Sequence, residues 1–188
     1  MKKGLIIVIA IVAVIVILGG SLVSSYNGLV DKQANVENAD AQIQVQLQRR
    51  ADLIPNLVNT VKAYATHEED VYTALADARA KLNSASNPEE YQEATDSFDS
   101  ALSRLLVVVE NYPELKADKN FIALQDELAG TENRLSTARK DYNDVATDYN
   151  ASIKKFPTVI FAGMFGFEKV DLFEASSESQ TAPTVNFD

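Results

Sequence analysis

The sequence contains no cysteine and no tryptophan, one histidine, and only seven glycines and five prolines in 188 residues. Without cysteine there are no disulfides, no thiolate zinc ligands, no thiol nucleophile and no site for lipoprotein processing, a pattern compatible with an oxidising compartment. The lone His67 stands in Thr66-His67-Glu68-Glu69 and lacks the second histidine, one turn on, that a helical zinc-protease site needs. Three readings of it stay open: a base beside Glu68 and Glu69, part of a metal site, or simply a solvated helix-end residue. A serine triad has nothing to stand on, because no Gly-x-Ser-x-Gly turn is present. No catalytic, cofactor-binding or metal residue is therefore assigned, and an enzyme using His67 is kept only as a third reading. Basic residues are also few. Once Lys2 and Lys3 are set aside, 15 Lys and Arg face 27 Asp and Glu, a formal charge of −12. Such a surface repels phosphate backbones and anionic headgroups, which excludes nucleic acid as a partner. Scarce Gly and Pro, with abundant Ala, Gln, Glu, Lys and Leu, predict an all-α fold.

What is present begins with Leu5 to Val23, LIIVIAIVAVIVILGGSLV, an uncharged run. Its nineteen or so residues reach roughly 28 Å as a helix, close to the hydrocarbon thickness of a bilayer. It reads as a transmembrane helix, with Leu5, Ile9, Ile15, Leu18 and Val23 among its lipid-facing residues. A secretory signal peptide is the competing reading, since Lys2 and Lys3 precede the apolar run and small-residue patterns end at Ser21 and Ser25. The run extends past a usual signal core and neither site is of the Ala-x-Ala type, which favours an anchor. Lys2 and Lys3 on one side, against a mostly acidic stretch on the other, predict a single-pass protein of the cell membrane, N-terminus inside and the rest outside. Tyr26 falls where an amphipathic ring prefers the headgroup level.

Beyond the anchor, apolar residues recur at helical spacing from Leu29 through Val36, Ile43, Leu47, Ile54 and Val61, with Gln33, Asp40 and Arg50 interrupting a coiled-coil-like seam. No Gly or Pro lies between Leu29 and Ile54, so the anchor helix is expected to run on as a stalk. At Pro55 two arrangements are open. Either one helix kinks, or the first ends near Arg50 and Asp52 caps a second that runs to about Asn83. Asn87 and Pro88 mark the start of a third helix, ended by Tyr112 and Pro113; a fourth runs from near Ala117 to Pro157. The expected division is residues 1–25 anchor, 26–157 helical bundle, 158–173 apolar C-terminal segment and 174–188 disordered tail. The segment VIFAGMFGF has two readings: folded back on the bundle end, or an exposed contact patch carried by Phe161, Met164, Phe165 and Phe167.

At LQRRADLIPNLVNTVKAYATHEE, Leu47 to Glu69, the chain resembles the LemA family of bacterial membrane proteins. The resemblance continues through NFIALQDELAGTENRLSTARKDYNDVATDYN, Asn120 to Asn150, and the closing Phe156-Pro157 and Gly166-Phe167 pairs. It implies an antiparallel up-and-down four-helix bundle with long helices, and favours a turn over a kink at Pro55. It implies no reaction, because the family has no established activity. Its relatives often lie beside a membrane zinc metalloprotease and some help organise membrane compartments, which implies a scaffold or self-associating oligomer, or an adaptor of such a metalloprotease or another integral membrane protein. Arg49, Arg50, Asp52, Pro55, His67, Glu68, Arg79, Glu132, Arg134, Arg139, Tyr142, Asn143, Tyr149 and Asn150 stand in or near these motifs. Glu132 and Arg139 are seven apart and share a helix face, so the charges read as a buried ion network setting bundle register, with an anion-binding patch as the alternative. Tyr142 and Tyr149, each followed by Asn, read as core-edge rings or as a stacking platform.

Overall fold

In the computed structural model, residues 2–174 are described, and no strand occurs among the described residues. The elements are α1 (Lys2–Lys62), α2 (Glu69–Ser84), α3 (Pro88–Val109), the single turn α4 (Pro113–Lys116) and α5 (Lys119–Lys154). Two 3-10 turns follow, Thr158–Ile160 and Gly163–Phe165. Of the tail expected to be disordered, Glu174 is exposed and in no regular element, and 175–188 lie outside the described residues.

The chain divides into two compact units, both drawing on α1 and α5. One comprises the chain up to Gln42 with Lys140–Val170. Its α1 portion carries the anchor, apolar enough to cross a membrane and with its large side chains facing outward. After the anchor, Leu29 and Val36 are buried on α1, and Tyr142, Ala146, Tyr149 and Ile153 form a stripe at four-, three- and four-residue steps on α5. The two helices run antiparallel: Lys32 pairs with Asp148, while Tyr26, earlier in the chain, meets Phe165 and Phe167. Gln33, expected in the seam, is exposed and donates to Glu37 at 3.1 Å.

The other unit, Ile43–Arg139 with the residues from Asp171, is an antiparallel up-and-down four-helix bundle built from the end of α1, α2, α3 and the start of α5. Its interior takes Ile43, Leu47, Ile54, Leu57 and Val61 from α1, Leu75 and Ala78 from α2, Phe98 and Leu105 from α3, and Phe121, Leu128 and Leu135 from α5. Arg49 meets Glu127 and Tyr64 meets Asp118, so α1 and α5 are antiparallel here too.

The turn at Pro55 favoured by the resemblance does not occur, because α1 continues through Pro55 to Lys62. Proline has no amide hydrogen, so the Ala51 carbonyl one turn back loses its helical donor. Arg79 supplies the replacement: its Nε donates to Ala51 O at 3.1 Å. Asp52 accordingly caps nothing; it lies within α1 and accepts from Gln48 Nε2 at 2.9 Å. The chain instead reverses at residues 63–68, where the Tyr72 hydroxyl donates to the Ala65 carbonyl, and α2 begins only at Glu69.

The start of α3 follows the sequence. The Asn87 side chain accepts from the Glu90 amide at 3.0 Å, Pro88 is the first helical residue, and Glu90 Oε2 accepts from the Ser86 amide at 2.8 Å. Asn87→Ala is expected to lower the stability of the bundle by about 1 kcal/mol, read as a shift in urea midpoint at unchanged slope. At its other end α3 stops at Val109, before the expected Tyr112, and Pro113 opens the one-turn α4. The start of α5 is capped by Asp118, whose Oδ1 accepts from the amides of Asn120 and Phe121. Those amides, Phe121 first, hold the Asp118 carboxyl below its ordinary value.

Candidate functional site

Within the four-helix unit a buried arginine meets two half-exposed carboxylates. The Arg50 side chain is 3% exposed and its Nη2 reaches Asp99 Oδ1 at 3.0 Å and Glu132 Oε2 at 2.8 Å. Its guanidinium carbon also lies 4.6 Å from the centre of the Phe98 ring, an attraction that helps hold a buried cation. Arg50 Nε and Nη1 have no hydrogen-bond partner among the described residues. A cleft of about 330 Å³ opens beside the group, lined by Arg50, Asp99 and Glu132 and floored by Leu102, Leu106 and Leu128. Burial, outweighing the pull of Arg50, holds the Asp99 carboxyl above its ordinary value.

Further polar and ring contacts lie in the same unit. Arg49 Nη2 and Arg134 Nη2 share Glu127 Oε1 at 2.6 and 3.0 Å. Arg139 Nη2 donates to Thr95 Oγ1 at 2.7 Å, and Thr95 Oγ1 in turn donates to Tyr91 O at 2.8 Å. Phe173 lies between Arg139, 5.5 Å from its ring centre, and Tyr91, stacked at 6.2 Å. Burial pulls the Arg139 guanidinium below its ordinary value, against the attraction of Glu132.

In the unit that carries the anchor, the motif asparagine acts on the backbone. Asn150 is buried; its Nδ2 donates to Val170 O at 2.8 Å and its Oδ1 accepts from Val170 N at 2.9 Å. One amide side chain thus satisfies both backbone groups of Val170, as a neighbouring strand would. Asn150→Asp removes the donor and sets a carboxylate against a carbonyl. The C-terminal segment is then expected to detach, seen as faster amide exchange at Val170 and earlier proteolysis near residue 170, with the four-helix unit still folded. Upstream of that clamp, Tyr26 makes edge-on contacts with Phe165 and Phe167 at 5.2 and 5.5 Å, and Phe161 packs on Phe165 at 6.0 Å. Leu22, Val23, Tyr26, Phe161 and Phe165 line an apolar cleft of about 310 Å³.

A family model described as LemA family matches residues 39–187. The chain belongs to the LemA family. Among curated relatives it is 25% identical over 200 residues to Magnetosome protein MamQ 2 of Paramagnetospirillum magneticum, covering 93% of this chain and 73% of that one. It is 27% identical over 154 residues to Protein LemA of Metamycoplasma hominis, covering 80% and 69%. Neither the family description nor these names state a reaction.

Of the LemA motif residues, the structure brings Arg50 and Glu132 together and gives Arg79 a backbone carbonyl rather than a carboxylate. Arg139 faces Thr95. Tyr142 and Tyr149 are buried in the anchor-bearing unit, and Asn143 beside them is half-buried. His67 is exposed in the α1–α2 connection, and Glu68 sits at the N-cap of α2 without a side-chain capping bond. Of the candidate contact residues, Phe161 and Phe167 are buried while Met164 and Phe165 are exposed. Asp99, Thr95 and Asp118 escaped the sequence reading. An acid three residues before Phe121, where an apolar repeat resumes, is a capping signal that would have found Asp118. Asp99 next to Phe98 offered no such pattern.

Proposed function

We propose that this membrane-associated helical protein of the LemA family works through protein contacts, as a scaffold or oligomer held in the cell membrane by a single pass, with its N-terminus inside and its bundle outside. The observation that carries this reading is where the motif side chains are spent. Arg50, Glu132, Arg79, Arg139 and Asn150 are engaged with other parts of the same chain, holding helices and the C-terminal segment in register, rather than converging on an open reaction site. A polar interior of this kind specifies one arrangement of helices. Its product is a shaped surface.

The test is crosslinking of the tagged full-length protein in intact cells with a membrane-impermeant amine reagent, followed by mass spectrometry. A ladder of self-crosslinks supports the oligomer and the outward bundle together. A dominant link to a membrane metalloprotease or another integral protein replaces the oligomer with an adaptor. A protein labelled by the reagent yet joined to nothing overturns both.

A further inference from the structure

The C-terminal segment is folded so that it shows more apolar surface than it hides. Phe161, Ala162 and Phe167 are buried and fix the two 3-10 turns, and the Ala162 carbonyl accepts from the Phe167 amide at 3.0 Å to close the second of them. The side chains between point outward: Phe156 and Met164 are 80% and 83% exposed, and Val159, Ile160 and Phe165 more than half. Five large apolar side chains within ten residues are costly to leave in water. Position identifies the occupant. Phe165 packs on Tyr26 and shares a cleft with Leu22 and Val23, the last turn of the uncharged run. Tyr26 is three residues past Val23, about 4.5 Å along the helix, which is the depth of the headgroups for a span that ends at Val23. The outward face of the segment therefore continues the lipid-facing surface of the anchor.

We infer that residues 156–165 are a second, interfacial membrane contact, in which Phe156, Val159, Ile160, Met164 and Phe165 enter the headgroup–acyl boundary of the same bilayer that α1 crosses. The inference rests on the anchor reading and is independent of the scaffold role. Charge contributes little, since Lys154, Lys155 and Lys169 are offset by nearby Glu168 and Asp171. The contact is apolar and needs no anionic lipid.

The absence of tryptophan makes this directly measurable, because a single introduced Trp is the only one in the chain. Full-length M164W, V12W and V107W are reconstituted into neutral phosphatidylcholine vesicles containing lipids brominated either near the headgroups or near the chain ends. Met164 and Val107 are exposed and Val12 faces outward in the anchor, so none of the three changes disturbs packing. The expected result is loss of V12W emission to deep bromines, loss of M164W emission with a blue shift to shallow bromines, and water-like, unquenched V107W. If V12W is quenched while M164W stays water-like, the inference is overturned and the anchor stands. A blue-shifted but unquenched M164W means that a second copy or another protein covers the segment, and overturns it equally. Quenching of V107W as strong as that of M164W overturns it by removing the distinction between segment and bundle. Failure of V12W to quench removes the anchor reading and the inference with it.

Discussion

Neutralising both partners of Arg50, as D99N/E132Q, is expected to cost the four-helix unit about 3 kcal/mol, whereas R50M costs about 1 kcal/mol or less. The asymmetry follows from who is buried. Arg50 is 3% exposed and cannot hydrate if its partners lose their charge, while Asp99 and Glu132 are 49% and 42% exposed and stay wet if Arg50 is removed. Met keeps most of the aliphatic volume against Phe98 and leaves no buried cation. The two carboxylates also differ. Asp99 is held above its ordinary value, so its charge opposes folding at neutral pH, and stability is regained as the pH falls through that raised value. E132Q should therefore cost more than D99N. Urea unfolding of the detergent-solubilised full-length protein, followed by circular dichroism, reads all four variants. An R50M loss equal to that of the double variant would refute the argument.

The second large effect is a coupling between residues far apart in sequence. R79M is expected to cost about 1–3 kcal/mol, because the Ala51 carbonyl then has neither the amide that Pro55 lacks nor the guanidinium that replaces it. In a P55A background the residue at 55 regains an amide hydrogen and donates to Ala51 itself. The same R79M change should then cost only a few tenths of a kcal/mol, so that the double-mutant cycle shows a coupling of at least about 1 kcal/mol. The two residues need each other. If R79M costs the same in the native and the P55A backgrounds, Arg79 stabilises the bundle by some route other than the orphaned carbonyl.

These two groups also mark how far the sequence could be read. The long apolar start of α1 was legible because length and lack of charge are properties of a local stretch, and the α3 start because Asn87 and Pro88 act on amides within one turn. The sequence offered the motif charges as an ion network or as an anion-binding patch, and the pairing of Arg50 with Glu132 depends on helices that only the fold brings near. Of the two arrangements open at Pro55, the helix that runs on could not be chosen from the sequence for a physical reason. A proline's local cost is visible in sequence, but the donor that offsets it comes from Arg79 on another helix, which only the fold brings near. The end of α1 at Lys62 was missed because residues 63–68 contain neither Gly nor Pro, and the reversal is held by Tyr72 on the Ala65 carbonyl. Which side chains of the C-terminal segment are covered was not legible, because short turns, not a regular period, decide it.

The anchor-bearing unit is assembled from the two ends of the described chain, and this bears on its biosynthesis. Lys32 and its partner Asp148 are 116 residues apart. At about 5–20 residues per second, a ribosome that has released Leu29 and Val36 works for roughly 6–23 s before the stripe that covers them has been made. Of the four-helix unit, α2 and α3 are complete by Val109 and can begin to pack on α1 during that interval, and the part of α5 that closes the unit follows by Arg139. Leu29 and Val36 stay uncovered until Tyr142 to Ile153 have been made, so a shortage of chaperones should strike the anchor-bearing unit before the four-helix unit.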